Sequence, residues 1–198
     1  MYDGSRPLWR EGDDTAPVNA YGRSKLRAEA LLAAGRPGRA VALRSSIILG
    51  PPPPAPVPRA LFLQFIEGAL RSGAPTSFFE DEFRNPVAVA DIVATIRALL
   101  ARWASGGGPP PRAVYNMGGR ERLSRVGMAA AVAAHLGLPT AGVIVPVPAA
   151  SVARPVASPA DISMHSGALE ADLGVRLRGM SEALADVYGP PVAADAKP

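Results

Sequence analysis

Two residues near the start of the chain, Tyr21 and Lys25, have the types and the spacing needed for proton transfer. They lie four positions apart in a segment that we predict to be helical, and side chains at that spacing lie on one face of a helix. A lysine ammonium beside a phenol stabilises the phenolate and makes the phenol a better proton donor. The alternative is an ordinary surface pair on an amphipathic helix.

The use of lysine in this chain supports the chemical interpretation. Of the 21 basic residues only Lys25 and Lys197 are lysines, and all the others are arginines. Arginine cannot replace a compact, rotatable ammonium that must reach a hydroxyl group and a phenol together. A lysine at position 25 in an arginine-rich chain therefore favours a proton-transfer pair.

The residues around the pair extend this pattern. The segment 17–29, P-V-N-A-Y-G-R-S-K-L-R-A-E, resembles the catalytic helix of the extended short-chain dehydrogenase/reductases, most closely their dTDP-4-dehydrorhamnose reductase-like branch. The resemblance implies a reductase of a nucleotide-linked 4-keto sugar that uses NADP or NAD. It also implies that Tyr21 protonates the substrate carbonyl, while Lys25 binds the cofactor ribose and assists Tyr21.

Composition excludes several other classes of protein. The 198 residues contain no cysteine and two histidines, His135 and His165, so disulfide scaffolds and zinc sites are not expected. The net charge of +4 comes from scattered arginines without the dense basic run of a nucleic-acid-binding surface. No apolar stretch is long enough to span a membrane, and the N-terminus is not a signal peptide, so we expect a cytoplasmic protein.

The helix that carries the pair must be positioned by its neighbours. We predict that residues 1–16 form a surface loop, that Asn19 (or Asp14 or Thr15) caps the helix, and that Gly35 and Pro37 end it.

The next segment, 40–49, is rich in β-branched residues and predicts a buried strand, parallel because it follows a helix. Ligands bind beyond the carboxyl ends of such strands, so residues 46–50 should border a ligand crevice. The run resembles the L-R-x-x-x-x-x-G-P segment of the family. This implies nicotinamide contacts near Ile47 and Ile48, mostly through the backbone; the alternative is a core strand without a ligand role.

The middle of the chain predicts further elements. Pro58 suits the first turn of a helix with an apolar face over 61–70. Short extended pieces follow at 78–79 and after Pro86, and Asp91 should satisfy free amides at the start of another helix. That helix should carry the following residues on one side: Ile92, Val93, Ile96, Leu99, Leu100 and Trp103.

This block resembles the F-x-D-x-x-x-x-P-x-x-V-x-D signature that joins the two lobes of the family. Within it, Arg84 is our candidate for contact with an anionic substrate, and a solvated arginine is the alternative.

The last part of the chain continues the alternation of strands and helices. Residues 112–119 predict a strand and a turn, and Ser124 should cap a helix that contains a partly exposed His135. We predict a strand over 143–147 and a last helix over 181–188. The segment 154–174 resembles the closing element of the family, with His165 and Gly167 as departures that weaken its helix.

Together these elements predict an α/β fold, a partial Rossmann-type sheet with a small substrate-binding lobe. We assign residues 1–50 and roughly 75–105 to the nucleotide-binding part, 51–74 and 112–188 to the lobe, and 189–198 to a disordered tail.

The family's glycine-rich phosphate-binding turn and its Ser-Thr-Asp run have no counterpart in this sequence. We therefore expect a truncated chain without measurable hydride transfer. Two alternatives stay open. One is a non-catalytic regulatory protein resembling the methionine adenosyltransferase regulatory subunit, which works through a protein partner, and the other is an inactive fragment.

Overall fold

The computed structural model describes residues 1–192, so positions 193–198 of the predicted disordered tail lie outside the described residues. The α-helices within this range are α1 (Ala20–Gly35), α2 (Phe62–Ser72), α3 (Val89–Ala104), α4 (Arg125–Leu136), α5 (Gly167–Leu173) and α6 (Met180–Tyr188). A short 3-10 turn covers Ala149–Ser151.

The strands are short: β1 (Ala42–Ser45), β2 (Ile48–Leu49), β3 (Thr76–Phe79), β4 (Phe83–Arg84), β5 (Val87–Ala88), β6 (Val114–Met117), β7 (Leu123–Ser124) and β8 (Ile144–Val147). Three pairs are parallel, β1 with β6, β2 with β5, and β3 with β8, whereas β4 and β7 are antiparallel. The mixed α/β class and the parallel pairing agree with the prediction.

The predicted strand over 40–49 is interrupted in the structure. It divides into β1 and β2 around Ser46, whose backbone nitrogen still donates to the carbonyl oxygen of Met117 at 3.2 Å. The parallel direction is confirmed, but β1 is only half-buried and Ser45 is exposed. Within residues 1–192 only β6 pairs with β1, which leaves the other edge of β1 uncovered.

The largest core cluster lies between α2, α4, α6 and the neighbouring strands. Pro58 does not begin α2, because the helix starts four residues later, at Phe62. The buried face of α2 consists of Leu63, Ile66 and Leu70, whereas Phe65 is exposed. The apolar face predicted over 61–70 is therefore only partly core, because Leu61 and Phe65 are exposed.

The apolar side predicted for α3 is not its buried side. Leu99 is buried together with Asp91 and Thr95, but Val93, Ile96 and Leu100 are exposed. The buried polar side chains shift the inward face of the helix away from the most apolar stripe, which composition alone does not reveal.

Asp91 is a structural residue, but it does not cap its own helix. Its carboxylate accepts hydrogen bonds from the backbone nitrogen of Arg178 at 2.8 Å and from the guanidinium of the same residue. The contact ties α3 to the segment in front of α6.

The N-terminal segment is not the surface loop that its polar composition suggested. Tyr2 and Trp9 are buried, and their rings stack at 4.9 Å between centroids. The indole nitrogen of Trp9 donates to the carbonyl oxygen of Asp161 at 3.0 Å. Two aromatic side chains therefore anchor a segment without regular structure against residues from the far end of the chain.

The last helix, α6, begins one residue before the predicted start and ends at Tyr188, as predicted.

His135 is buried, not partly exposed as predicted, and its Nε2 lies 3.0 Å from the carbonyl oxygen of Gly189. Strand β6 pairs with β1 although we assigned 112–188 to the lobe, so the boundary between the two parts stays a prediction.

Within residues 1–192, no helix combines the length and the apolar character needed to cross a membrane. The same part of the chain contains no cluster of three or more acidic or histidine side chains suited to a metal ion.

Candidate functional site

Tyr21 and Lys25 lie in the first two turns of α1 and on the same face of that helix. The Nζ of Lys25 is 5.3 Å from the centroid of the Tyr21 ring, and 71% of Tyr21 is exposed. Both side chains line a cavity of about 490 Å³. The phenol and the ammonium are therefore close together and accessible to a ligand.

The start of α1 is set by the residues next to this pair. The Oδ1 of Asn19 accepts a hydrogen bond from the backbone nitrogen of Gly22 at 2.8 Å, which confirms the predicted N-cap. Gly22 is buried, and a Cβ at this position would lie 2.7 Å from the Cβ of Pro17. The glycine after Tyr21 thus allows the incoming chain to pack closely against the helix.

The opposite wall of the cavity comes from β1, β2 and the residues between them. Ile48 is 47% exposed and lines the cavity, whereas Ile47 packs against the large core cluster. The carbonyl oxygen of Ile47 accepts a hydrogen bond from Val87 at 2.8 Å. Of the two isoleucines predicted near a nicotinamide, only Ile48 offers its side chain to the cavity.

Ser46 lines the same cavity. Its hydroxyl oxygen is buried and has no hydrogen-bond partner among the described residues. A buried hydroxyl without a partner costs free energy, so this oxygen is a candidate for contact with a bound ligand.

A chain of polar side chains forms the floor of the cavity. Arg44 binds both carboxylate oxygens of Glu29, at 2.9 and 2.8 Å, and donates from Nη1 to the hydroxyl oxygen of Tyr2 at 2.7 Å. The Tyr2 hydroxyl in turn donates to Oδ1 of Asn116 at 2.8 Å. Burial raises the pKa of the Tyr2 phenol, so it remains a neutral donor.

A second group of charged residues surrounds the buried carboxylate of Glu82. Arg154 lies 2.5 Å from this carboxylate, and Arg84 and Arg125 each lie 3.6 Å from it. Three guanidiniums thus share one carboxylate. Burial, followed by the charge of Arg125, lowers the pKa of Arg84 to about 10, and burial lowers the pKa of Arg125 as well.

Arg84, our candidate for substrate contact, lies in the interior with 4% of its surface exposed. Its guanidinium donates to the hydroxyl of Ser158 and to the carbonyl oxygens of Phe83, Pro159 and Ala160. The solvated arginine, the alternative interpretation, does not describe this position.

Two other arginines reach a cavity that Arg84 does not line. Arg125 and Arg154 border a space of about 480 Å³. The Cζ of Arg125 is 4.7 Å from the centroid of Phe62, and the Cζ of Arg154 is 4.7 Å from that of Phe79. We call this space the arginine cavity. Its lining combines these two arginines and several phenyl rings with Glu82.

One short segment connects the two cavities. The side-chain nitrogen of Asn19 donates to the carbonyl oxygen of Ala157 at 2.9 Å, next to the start of α1. The following residues, 158–160, accept hydrogen bonds from Arg84. The cap of the Tyr21 helix and the arginine cluster are thus held by the same stretch of chain.

The sequence predicted the common face of Tyr21 and Lys25 and the cap, but it did not single out Arg125, which lines the arginine cavity. A signal existed, because a cation in the first turn of a helix opposes the helix dipole. The arginine directly after the Ser124 cap is therefore not explained by helix stability.

The sequence matches the model of the family described as "RmlD substrate binding domain" over residues 1–190. It is 26% identical over 188 residues to a dTDP-4-dehydrorhamnose reductase from Sinorhizobium fredii, covering 92% of this chain and 60% of that protein. It is also 26% identical over 152 residues to methionine adenosyltransferase 2 subunit beta from Pongo abelii, covering 71% of this chain and 40% of that protein.

Among solved structures, the chain is similar to dTDP-4-dehydrorhamnose reductase from Bacillus anthracis in complex with NADP. The TM-score is 0.79 at 18% identity, over 94% of this chain and 61% of that chain. This similarity confirms the predicted Rossmann-type α/β fold. The chain spans about 60% of the length of these reductases.

Proposed function

The chain belongs to the RmlD substrate-binding domain family, and on that basis we propose that it serves in the NAD(P)-dependent reduction of a nucleotide-linked 4-keto sugar. The observation that carries the proposal is the cavity shared by Tyr21 and Lys25. A reductase of this kind needs a proton donor at the carbonyl oxygen, a place for the cofactor and a place for an anionic substrate. Residues of this chain can supply the proton donor and parts of the cofactor and substrate sites.

Tyr21 is the proposed proton donor. Its exposure leaves the hydroxyl free to approach a carbonyl oxygen, and the neighbouring ammonium of Lys25 stabilises the phenolate that remains after proton transfer. Positioned proton transfer contributes on the order of 10²–10⁴ in rate.

A bound nicotinamide cofactor would supply the hydride. The residues fit its nicotinamide and ribose portion, because the cavity offers an ammonium, an apolar side chain and an unpartnered hydroxyl, those of Lys25, Ile48 and Ser46. Lys25 would hydrogen-bond the ribose and Ile48 would cover an apolar face.

The arginine cavity is the proposed site for the nucleoside diphosphate of the substrate. Arg125 and Arg154 share the charge of Glu82 with Arg84, so this region carries more positive than negative charge, and a diphosphate would offset the difference. The phenyl rings of Phe62 and Phe79 provide apolar walls of the kind found in ligand pockets. Arg84 does not line the cavity, but its hydrogen bonds would hold the segment 158–160, of which Ser158 lines the cavity.

The test is titration calorimetry of the protein with dTDP and with UDP. We expect saturable binding that falls at least tenfold in Arg154→Ala and in Arg125→Ala, since each substitution removes a cation from the cavity. Arg59→Ala is the matched control, because this arginine is exposed and lies outside the lining of the arginine cavity. If no nucleoside diphosphate binds, or if all three variants bind equally, the proposed substrate site is wrong.

The second candidate is a regulatory protein that acts by binding a partner. The similarity to the beta subunit of methionine adenosyltransferase 2 favours it. Co-purification with a methionine adenosyltransferase catalytic subunit, without turnover of any nucleotide-linked keto sugar, would support this function over reduction.

A further inference from the structure

Glu29 lies one helical turn after Lys25, at a spacing that allows a lysine and a glutamate to form an ion pair. Among residues 1–192, however, no carboxylate lies within 4.0 Å of the Lys25 ammonium. The ammonium lies over the Tyr21 ring instead. Some other contact must therefore hold Glu29.

Arg44 provides that contact. Its Nε and Nη2 bind the two carboxylate oxygens of Glu29 at 2.9 and 2.8 Å, and the two side chains are only 10% and 14% exposed. A two-point guanidinium–carboxylate contact is stronger than a single ammonium contact. In addition, a lysine that precedes a glutamate by four residues forms the weaker of the two helical orientations.

Arg44 is itself fixed in place. Its Nη1 donates to the Tyr2 hydroxyl, which donates to Asn116 on β6, and the Tyr2 ring stacks on Trp9. The guanidinium is therefore anchored to β1, β6 and the N-terminal segment at once. Glu29 is held towards β1 and away from the Lys25 ammonium.

We propose that Arg44 is a positioning residue that keeps the Glu29 carboxylate away from Lys25, so that the ammonium stays with Tyr21 and remains available to a ligand in the cavity. The benefit of this arrangement for reduction rests on the proposed function. The positioning of Lys25 itself is independent of that function.

The proposal predicts that substitutions of the two partners of this ion pair have different effects on Lys25. Loss of Arg44 frees the Glu29 carboxylate to attract Lys25 away from Tyr21. Loss of the Glu29 charge removes the carboxylate that lies one helical turn from Lys25. If the pair served only to join α1 to β1, the two substitutions would disturb Lys25 alike.

Because the chain contains only two lysines, the Lys25 side chain can be observed directly by NMR. Reductive ¹³C-methylation keeps the charge of each amine and labels the side chains of Lys25 and Lys197 together with the α-amine of Met1, and Lys25→Arg identifies the Lys25 signal. The measurement is the nuclear Overhauser contact between the Lys25 methyl groups and the Tyr21 ring protons, with the ring-current shift of those methyl groups.

We expect the contact in the unsubstituted protein and in Glu29→Gln, its loss in Arg44→Gln, and its return in the Arg44→Gln/Glu29→Gln double variant. Loss of the contact in Glu29→Gln, or its persistence in folded Arg44→Gln, would overturn the proposal. Circular dichroism verifies folding. If Arg44→Gln does not fold, Arg44→Met, which keeps much of the apolar stem but not the charge, takes its place with the same expected loss and return of the contact.

The experiment involves neither substrate nor turnover, so absence of reductase activity would leave its result unchanged. If a substrate is found, Arg44→Gln should lower kcat by more than Glu29→Gln does.

Discussion

The side-chain nitrogen of Asn19 donates a hydrogen bond to the carbonyl oxygen of Ala157 at 2.9 Å, joining two residues that are 138 positions apart. The oxygen of the same amide caps α1 by accepting from Gly22. One side chain therefore fixes both the start of the helix that carries Tyr21 and the segment that binds Arg84. The amide accepts through its oxygen and donates through its nitrogen, whereas an ionised aspartate at this position could only accept.

The first prediction separates these two roles. Asn19→Ala loses both hydrogen bonds and should lower the free energy of unfolding by about 1–2 kcal/mol. Asn19→Asp keeps the cap, loses the bond to Ala157 and should cost less. Urea unfolding measures both values. Ser124→Ala, which removes the cap of α4 alone, is the matched control. An Asn19→Asp variant as unstable as Asn19→Ala would show that the bond to Ala157 dominates.

The second prediction concerns the proposed proton donor. For any nucleotide-linked 4-keto sugar that the protein reduces, Tyr21→Phe should lower kcat by about 10²–10⁴, because the ring remains but the transferable proton is gone. Binding of dTDP should not change, since Tyr21 does not line the arginine cavity. NADPH absorbance follows the rate. Tyr188→Phe, which removes a hydroxyl bonded to Glu67, serves as the control, and undiminished turnover in Tyr21→Phe would exclude the acid role.

The third prediction concerns the close approach of two chain segments after β6. A Cβ on Gly119 would lie 1.9 Å from the carbonyl oxygen of Pro86, so Gly119→Ala requires the backbone to move. We expect a loss of about 3 kcal/mol. Gly12→Ala meets no atom within 4 Å and should change stability by no more than about 0.5 kcal/mol. Thermal unfolding compares the two, and similar values would contradict the close contact.

Features that depend on a few neighbouring residues could be predicted from the sequence. The cap at Asn19, the cap at Ser124 and the common face of Tyr21 and Lys25 all follow from spacing within one or two helical turns. The parallel direction of β1 followed from its place after a helix. These relationships are local, so the sequence alone contains them.

Features that join distant parts of the chain could not be predicted in this way. The polar N-terminal segment gave no indication that Trp9 would be buried against residues near Asp161. The hydrogen-bond partners of Arg44 and Arg84 could not be inferred, because they lie far away in sequence or on a different element. The charged network around the site is therefore a result of the tertiary structure. Its residues can be read from the sequence, but their contacts cannot.

The last prediction concerns the dependence of stability on pH. Tyr115 is fully buried and donates to Oδ2 of Asp172 at 3.0 Å. Burial, followed by this contact, raises the pKa of the Tyr115 phenol to about 12. An unfolded tyrosine has a pKa of about 10. Between these values the folded protein keeps a proton that the unfolded chain has lost, so the free energy of unfolding falls as pH rises.

This contribution is fully present below about pH 10 and is lost by about pH 12. Tyr115→Phe should therefore flatten the decline in stability over this range without abolishing it, because burial also raises the pKa of Tyr2 and of Tyr188. Urea unfolding at a series of alkaline pH values provides the slopes. Asp172→Asn keeps an acceptor but removes the charge, so its slope should lie between those of the other two proteins. An identical slope in Tyr115→Phe would mean that this phenol loses its proton in the folded and unfolded states alike.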